Sequence, residues 1–265
     1  MLVVISPAKR LDWSAVDRSA PTEPAFRQDA NRLAAHARQL SLVKLKRLMN
    51  LSDDLARLNR ARFRDFRDNP APEATKPAVF AFAGDTYLGL EAASLDDEAL
   101  AYAQDHLRIL SGLYGVLRPM DAIQPYRLEM GSRLKTRRGS NLYDYWRDAP
   151  AKALNEAAQA IDTDVLVNCA SQEYFGAVDA QKLKLRIIEP VFLEEKPGGP
   201  RIVSFFAKRA RGSMARFIVD RRVTDVEGLR DFDLGGYVFR PEMSDGNRMA
   251  FVRAEAQSGS FSEAS

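Results

Sequence analysis

One cysteine, Cys169, and two histidines, His36 and His106, are all that 265 residues offer a soft or borderline metal. A disulfide framework, a zinc cage and an iron–sulfur centre are therefore excluded on donor count alone. Long apolar runs are missing too. The longest stretch without a charged residue is the nine residues Ile109 to Leu117, and a membrane-spanning helix needs about 20. The apolar opening Leu2 to Ile5 stops at Ser6-Pro7, too short for the core of a secretory signal. No internal repeat and no low-complexity tract is present. These absences leave a soluble chain expected in the cytoplasm, without membrane contact, bound cofactor or metal site.

What is present is ordinary in amount and uneven in placement. Hydrophobic residues make up 46% and charged residues 28%, the profile of a folded globular protein. Net charge is only +3, which by itself implies no polyanionic partner. The basic residues, however, are grouped. Arg38 to Arg67 holds nine against three acids, Arg127 to Arg147 six against two, and Arg201 to Arg222 seven against Asp220 alone. Such segregation focuses a positive potential if the three segments share a face. It does nothing of the kind if they are solvated helix faces pointing apart, and charge alone does not choose.

Periodicity places these segments on elements. Leu2 to Ile5 reads as a buried strand. Phe26, Leu33, Ala34, Ala37 and Leu40 recur at helical spacing. Two shorter helices follow, one from Ser41 as N-cap and one from Ser52 as N-cap to about Phe66. Proline-rich residues 69–77 form a connector and the best candidate for an internal boundary. A strand is expected over Val79 to Phe82 and a helix opened by Ser94. A further helix runs from Asp148 to Ala160, and a strand covers Val165 to Asn168. Ile187 to Leu193 and Ile202 to Phe206 are expected to form a hairpin around Lys196 to Pro200. A basic helix spans Ala207 to Arg222, and a last hairpin joins Tyr237–Phe239 to Met249–Val252. The reading is mixed α/β: one compact domain over residues 1–257, a central mixed sheet with surrounding helices, and a disordered tail at 258–265.

Three places invite chemistry. Ser6-Pro-Ala-Lys9 follows a strand and spells the serine–lysine pair of penicillin-recognising enzymes, but the companion motifs of that class are absent. A lysine charge at a strand end, where α/β sheets collect ligands, is the better reading. Asp85, in a glycine turn, and Asn168, Ser171 and Glu173, after a strand, would line the same polar pocket if the strand ends converge. Leu48 to Ala56 has the layout of a helix-hairpin-helix, in which a hairpin and a helix start turn backbone N–H groups towards a DNA phosphate. Asn50 and Ser52 stand where that motif has glycines. Asn tolerates the left-handed turn. Asp53 and Asp54 place acid at the phosphate position, and the surrounding basic residues, Lys44, Lys46 and Arg47 among them, would offset it. Cys169 reads as a small buried filler, and both histidines as structural.

Five strings together resemble the YaaA family of bacterial peroxide-stress proteins: VISPAKRLDW at 4–13, FAGDTYLGL at 82–90, the 25-residue LRILSGLYGVLRPMDAIQPYRLEMG at 107–131, NCASQEYF at 168–175, and IVSFFAKRARGSMARFIVD at 202–220. The likeness runs from the first strand to GYVF at 236–239. The resemblance implies a single mixed α/β domain that binds DNA through a positive cleft and a helix-hairpin-helix element, in a family that limits oxidative damage by lowering free intracellular iron. On this chain the implied DNA or phosphate contacts are Lys9, Lys46, Arg47, Asn50, Ser52, Arg127, Arg133, Lys208, Arg209 and Arg211. Arg10 stands where the family more often has Thr, Cys169 where Leu is common, and Phe206 where Tyr is common.

Two further function classes stay open from the residues themselves. One is an enzyme acting on a nucleotide or other small anion, with Asp85 or Glu173 as general base. The other is an iron-binding protein, poorly served by so few soft ligands. Sequence-indifferent DNA binding by a monomer is the reading preferred, because no helix carries base-reading side chains at the spacing direct readout needs.

Overall fold

The computed structural model describes residues 1–16 and 21–254. Expectations for the tail at 258–265, and for the domain's end at 257, lie outside the described residues. In chain order the strands are β1 Leu2–Ile5, β2 Arg10–Leu11, β3 Lys76–Pro77, β4 Phe82–Ala83, β5 Leu107–Ser111, β6 Gly115–Leu117, β7 Ala122–Ile123, β8 Val165–Cys169, β9 Arg186–Glu194, β10 Tyr237–Phe239 and β11 Arg248–Arg253. Seven of them build the central sheet, in the order β10-β11-β9-β8-β1-β5-β6. β1 runs parallel to both β5 and β8, β8 to β9, and β9 to β11. Antiparallel strands, β6 on β5 and β10 on β11, close the two ends. The remaining strands form two short pairs, β2 with β4 and β3 with β7.

The run Leu2-Val-Val-Ile5 is wholly buried, as an unbroken apolar strand with helices on both faces must be. Its position in mid-sheet has a consequence for ligands. The chain leaves β1 for its neighbour β5 on one side, whereas it leaves β8 for β9 on the other. The carboxyl ends of β1 and β8 therefore form a switch point, the crevice where open α/β sheets hold ligands.

Ten helices surround the sheet in the described residues: α1 Arg27–Arg38, α2 Leu42–Met49, α3 Asp53–Asp65, α4 Ala78–Ala81, α5 Asp85–Leu90, α6 Asp97–His106, α7 Leu142–Trp146, α8 Ala149–Ala160, α9 Gln172–Phe175 and α10 Ser204–Arg221. Ser41 and Ser52 cap α2 and α3 as expected, their hydroxyls accepting from Lys44 and Leu55 N–H. α10 buries Ala207, Ala210, Met214, Phe217 and Ile218.

Its closest neighbour is α5, and two glycines make the approach possible. A Cβ on Gly212 would stand 1.7 Å from the Thr86 carbonyl oxygen, and one on Gly89 would stand 2.0 Å from that of Arg209. The two backbones touch where any side chain would wedge them apart.

Three local expectations are corrected. Of Val79 to Phe82 only Phe82 lies in a strand, as the first residue of β4. Ala78–Ala81 is one helical turn whose leading N–H groups are taken by the carbonyls of Asp121 and Pro119, and a short buried apolar run does not distinguish the two periods. Ile202 to Phe206 is not a hairpin arm. A single bridge, Glu194 with Arg201, closes the Lys196–Pro200 turn, and α10 begins at Ser204, taking Phe205 and Phe206 into its first turn. Ser94 does not cap α6. Asp96 does, accepting from Ala99 N–H at 2.7 Å, because the Ser94 hydroxyl donates backwards to the Glu91 carbonyl. The proline-rich connector divides nothing, since β3 within it pairs with β7 and one hydrophobic core runs from Met1 to Phe251.

A buried polar knot lies near the C-terminal strands. Arg253 is 1% exposed, and its Nε donates to Glu194 Oε2 at 2.9 Å. The Tyr237 hydroxyl donates to the other oxygen of Glu194. The Arg253 guanidinium also lies 4.2 Å from the centre of the Phe206 ring. Charges this deep are tolerated because each has its partner.

Candidate functional site

Two cavities carry the chemistry, and half of the ten residues expected to contact phosphate line one or the other. The first is a groove of about 860 Å³ lined by His36 in the last turn of α1, by Gln39 and Leu40 just after it, by Lys44, Arg47 and Leu48 of α2, and by Gly131, Arg133, Leu134 and Lys135 of the segment beyond β7. Lys44, Arg47, Arg133 and Lys135 contribute four positive charges, and no carboxylate lines it. Among the described residues, none of the four forms an ion pair. Cations left uncompensated around a concavity set up the kind of potential that gathers a polyanion.

Beside this groove a tight turn at Asn50 and Leu51 joins α2 to α3. Asn50 caps α2 in the left-handed conformation, at φ 49° and ψ 54°. Ser52 starts α3, its hydroxyl occupied by Leu55 N–H. Lys46 Nζ lies 2.6 Å from Asp53 Oδ1, and the Lys46 ammonium holds the Asp53 carboxyl below the usual carboxylate range. The offset of acid by nearby base is thus two specific pairs, the second being Asp54 with Arg57 at 3.6 Å. The first also means that Lys46 contributes no open charge. Arg62, on α3, has its guanidinium pKa lowered by burial and by neighbouring Arg127.

The second cavity, about 650 Å³, sits at the switch point. The loop after β1 supplies Ser6 to Lys9, the turn from β4 into α5 supplies Gly84 to Thr86, the segment after β8 supplies Ser171, Glu173 and Tyr174, and α10 supplies Lys208 and Arg211. The β2–β4 pair, with Arg10 opposite Ala83, draws the first two loops together, and a Cβ on Gly84 would meet that of Ala8 at 3.2 Å. Ser171 N–H donates to the Ser6 hydroxyl at 2.9 Å, joining the ends of β1 and β8. Tyr87 and Tyr174 have phenol pKa values raised well above normal by burial, so both stay protonated. The Cys169 thiol, pushed up to about 12 by burial, stays protonated.

The charge pattern here is mixed. Lys9, Arg10, Lys208 and Arg211 face Asp85 and Glu173. Lys9 is held by Glu129 at 2.9 Å, and Glu129 also binds Arg127 at 3.0 Å. Glu173 Oε1 accepts from Gly131 N–H at 2.9 Å. Gly131 lines the groove and Glu173 lines the pocket, so one hydrogen bond forms part of the wall between them.

Of the residues expected to bind phosphate, Arg47 and Arg133 meet in the groove, and Lys9, Lys208 and Arg211 meet in the pocket with Asp85 and Glu173. Arg127 lines neither cavity and is neutralised by Glu129. Arg209 lies on α10 outside the pocket lining. Arg222 lies outside the pocket lining. It caps the far end of α10 and pairs with Glu98 at 3.2 Å. Asn168 is turned away, accepting from Ala170 N–H. α9 is a single turn of four residues, too short to act as an anion-binding helix start.

His36 and Lys135 were missed as groove residues. His36 looked like a core histidine on α1, and Lys135 lies in a segment with no periodicity to place it. Among the described residues no three His, Cys, Asp or Glu side chains gather as metal ligands would.

Comparison with known sequences settles the family. The model described as Peroxide stress protein YaaA matches residues 1–243. The chain belongs to the YaaA peroxide stress protein family. A UPF0246 protein of Ruegeria pomeroyi is 67% identical over 253 residues, covering 96% of this chain and 98% of its own. One of Roseobacter denitrificans is 66% identical over 256 residues, with the same shares. A UPF0246 protein of Caulobacter vibrioides is 54% identical over 256 residues, 96% of this chain and all of its own. Both cavities of this YaaA family member are built by residues inside the matched span, from Ser6 to Arg211.

Proposed function

We propose that the protein binds DNA through its phosphate backbone, using the groove between α2 and the 131–135 segment with the α2–α3 hairpin at its edge. The observation that carries this reading is the set of four unpaired cations, Lys44, Arg47, Arg133 and Lys135, around a groove that has no acidic lining residue. Neutralising phosphates with such side chains releases condensed counterions, and this supplies affinity without reading sequence. The hairpin adds a left-handed turn at Asn50 and the start of a thirteen-residue helix at Asp53, a form that presents backbone N–H groups to a phosphate. We place any lowering of free iron downstream of this contact, since the groove's side chains suit phosphate and not iron. The protein then acts as a monomer in the cytoplasm, contacting structured or duplex DNA.

Fluorescence anisotropy of labelled duplex, bubble and single-stranded DNA across a salt series tests the reading. Four phosphate contacts predict that log affinity falls with log salt at a slope of about 3 to 4. Absence of binding at low salt, or a flat salt response, would sink it.

A further inference from the structure

The switch-point cavity is not needed for backbone binding in the groove, and its lining is of a different kind. On α10, Lys208 and Arg211 stand three positions apart and so share a face. Among the described residues neither has a carboxylate partner. They face Asp85, which also has none, and Glu173, whose carboxylate is held by Gly131 N–H. Ser6, Thr86 and Ser171 also line the cavity, the Ser6 hydroxyl donating to that of Ser171 at 3.3 Å, and Pro7 with the half-exposed Leu88 gives an apolar rim. A cavity of about 650 Å³ holds a small molecule rather than a strand of polymer. Two free cations suit a phosphate monoester. Carboxylates suit ligand hydroxyl or amino donors, and the apolar rim suits the face of a flat ring.

We propose that this pocket binds a nucleoside 5′-monophosphate, with the phosphate between Lys208 and Arg211, the sugar hydroxyls towards Asp85 and Glu173, and the base against Pro7 and Leu88. The site does not depend on the groove binding DNA. The same chemistry is presented by a free nucleotide and by the 5′-phosphorylated end of a strand.

Isothermal titration of the full chain with AMP, dTMP, ribose 5-phosphate and inorganic phosphate tests it. AMP or dTMP should bind, with inorganic phosphate about tenfold weaker or more. Lys208→Ala and Arg211→Ala should each weaken the nucleotide by about tenfold to a hundredfold, as loss of a charge-assisted hydrogen bond does. Arg211→Lys should recover part of the loss, and Arg47→Glu in the groove should leave nucleotide affinity unchanged. Thermal melting of each variant keeps a folding defect apart from a binding defect. Asp85→Asn, which keeps the shape, should weaken AMP more than inorganic phosphate.

A 5′-phosphorylated oligonucleotide that displaces AMP, where its hydroxyl-ended counterpart does not, supports the site and assigns its occupant to strand ends. Binding confined to the free nucleotides supports it and assigns the occupant to the free pool. No heat with any nucleotide, equal affinity for inorganic phosphate, or binding unchanged in the Lys208→Ala and Arg211→Ala variants would overturn the proposal. DNA anisotropy on the same variants reads the groove separately, so failure of one site is not mistaken for failure of the other.

Discussion

The groove and the pocket differ in how their charges are answered. In the groove, four cations stand around a wide space with no carboxylate lining it. In the pocket, four cations meet two carboxylates, and Lys9 is further tied to Glu129. Uncompensated charge is suited to a ligand that brings many negative charges and releases counterions. Charge that is only partly answered, with hydroxyls in the same lining, is suited to a ligand that carries both donors and acceptors. The supports differ as well. The groove rests on the end of α1, on α2 and on a segment without regular structure. The pocket rests on the ends of two central strands and on two helices in backbone contact, so its shape is set by the core.

The largest effect is expected where that contact is broken. Gly212→Ala places a methyl 1.7 Å from the Thr86 carbonyl oxygen, and α5 must then move off α10. Overpacking at a backbone contact costs about 3 kcal/mol or more, which for a domain of this size lowers the melting temperature by roughly 6 to 12 °C. Because α5 carries Asp85 and α10 carries Lys208 and Arg211, nucleotide affinity should fall with stability, while DNA affinity measured below the transition should fall far less. Equal loss at both sites would show that the two cavities are one cooperative structure.

Charge reversal in the groove comes next. Arg47→Glu and Arg133→Glu should each reduce DNA affinity about tenfold or more at moderate salt and lower the salt slope by about one unit per contact removed. Neither residue has an ion-pair partner among the described residues, so thermal stability should hold. A matching salt series on the pocket sharpens the contrast. Nucleotide binding should lose only a few-fold over a range in which DNA binding loses about a thousandfold. Parallel salt curves would collapse the distinction between the sites.

Much of this architecture was legible in the chain. β1 announced itself through four consecutive apolar residues, and the starts of α2 and α3 through two serine caps, with an Asn between them that tolerates a left-handed turn. Both are local signals, and local signals survive into the fold. The pocket was half legible. The strand-end positions of Lys9, Asp85 and Glu173 could be read, but their convergence depends on strand order, which no local pattern encodes. The groove's far wall was not legible. Arg133 was named only through the family resemblance and Lys135 was not named at all, since residues 131–135 form no element whose period assigns them a face. Nor did anything in the sequence single out Gly89 and Gly212, because each looks like a helix-weakening residue until the facing helix is known. The Glu194–Arg253 pair was hidden for a related reason. It joins two strands adjacent in the sheet but 59 positions apart in the chain.

The smallest expected effect tests the hairpin's own electrostatics. Lys46 was expected to touch phosphate, yet it is held by Asp53 at 2.6 Å at the head of α3. A carboxylate at a helix start also satisfies the positive end of the helix dipole that a phosphate would otherwise occupy. Asp53→Asn keeps the size and hydrogen-bonding capacity of the side chain while removing its charge, and it frees Lys46 to turn towards the groove. DNA affinity should therefore rise by a few-fold at low salt, and the salt slope should steepen by up to about one unit as a new cation joins the contact. Lys46→Ala in the Asp53→Asn background should cancel the gain. If Asp53→Asn instead weakens binding, the carboxylate is positioning Lys46 for its phosphate rather than withholding it. The hairpin would then belong to the binding surface itself and not merely to its edge.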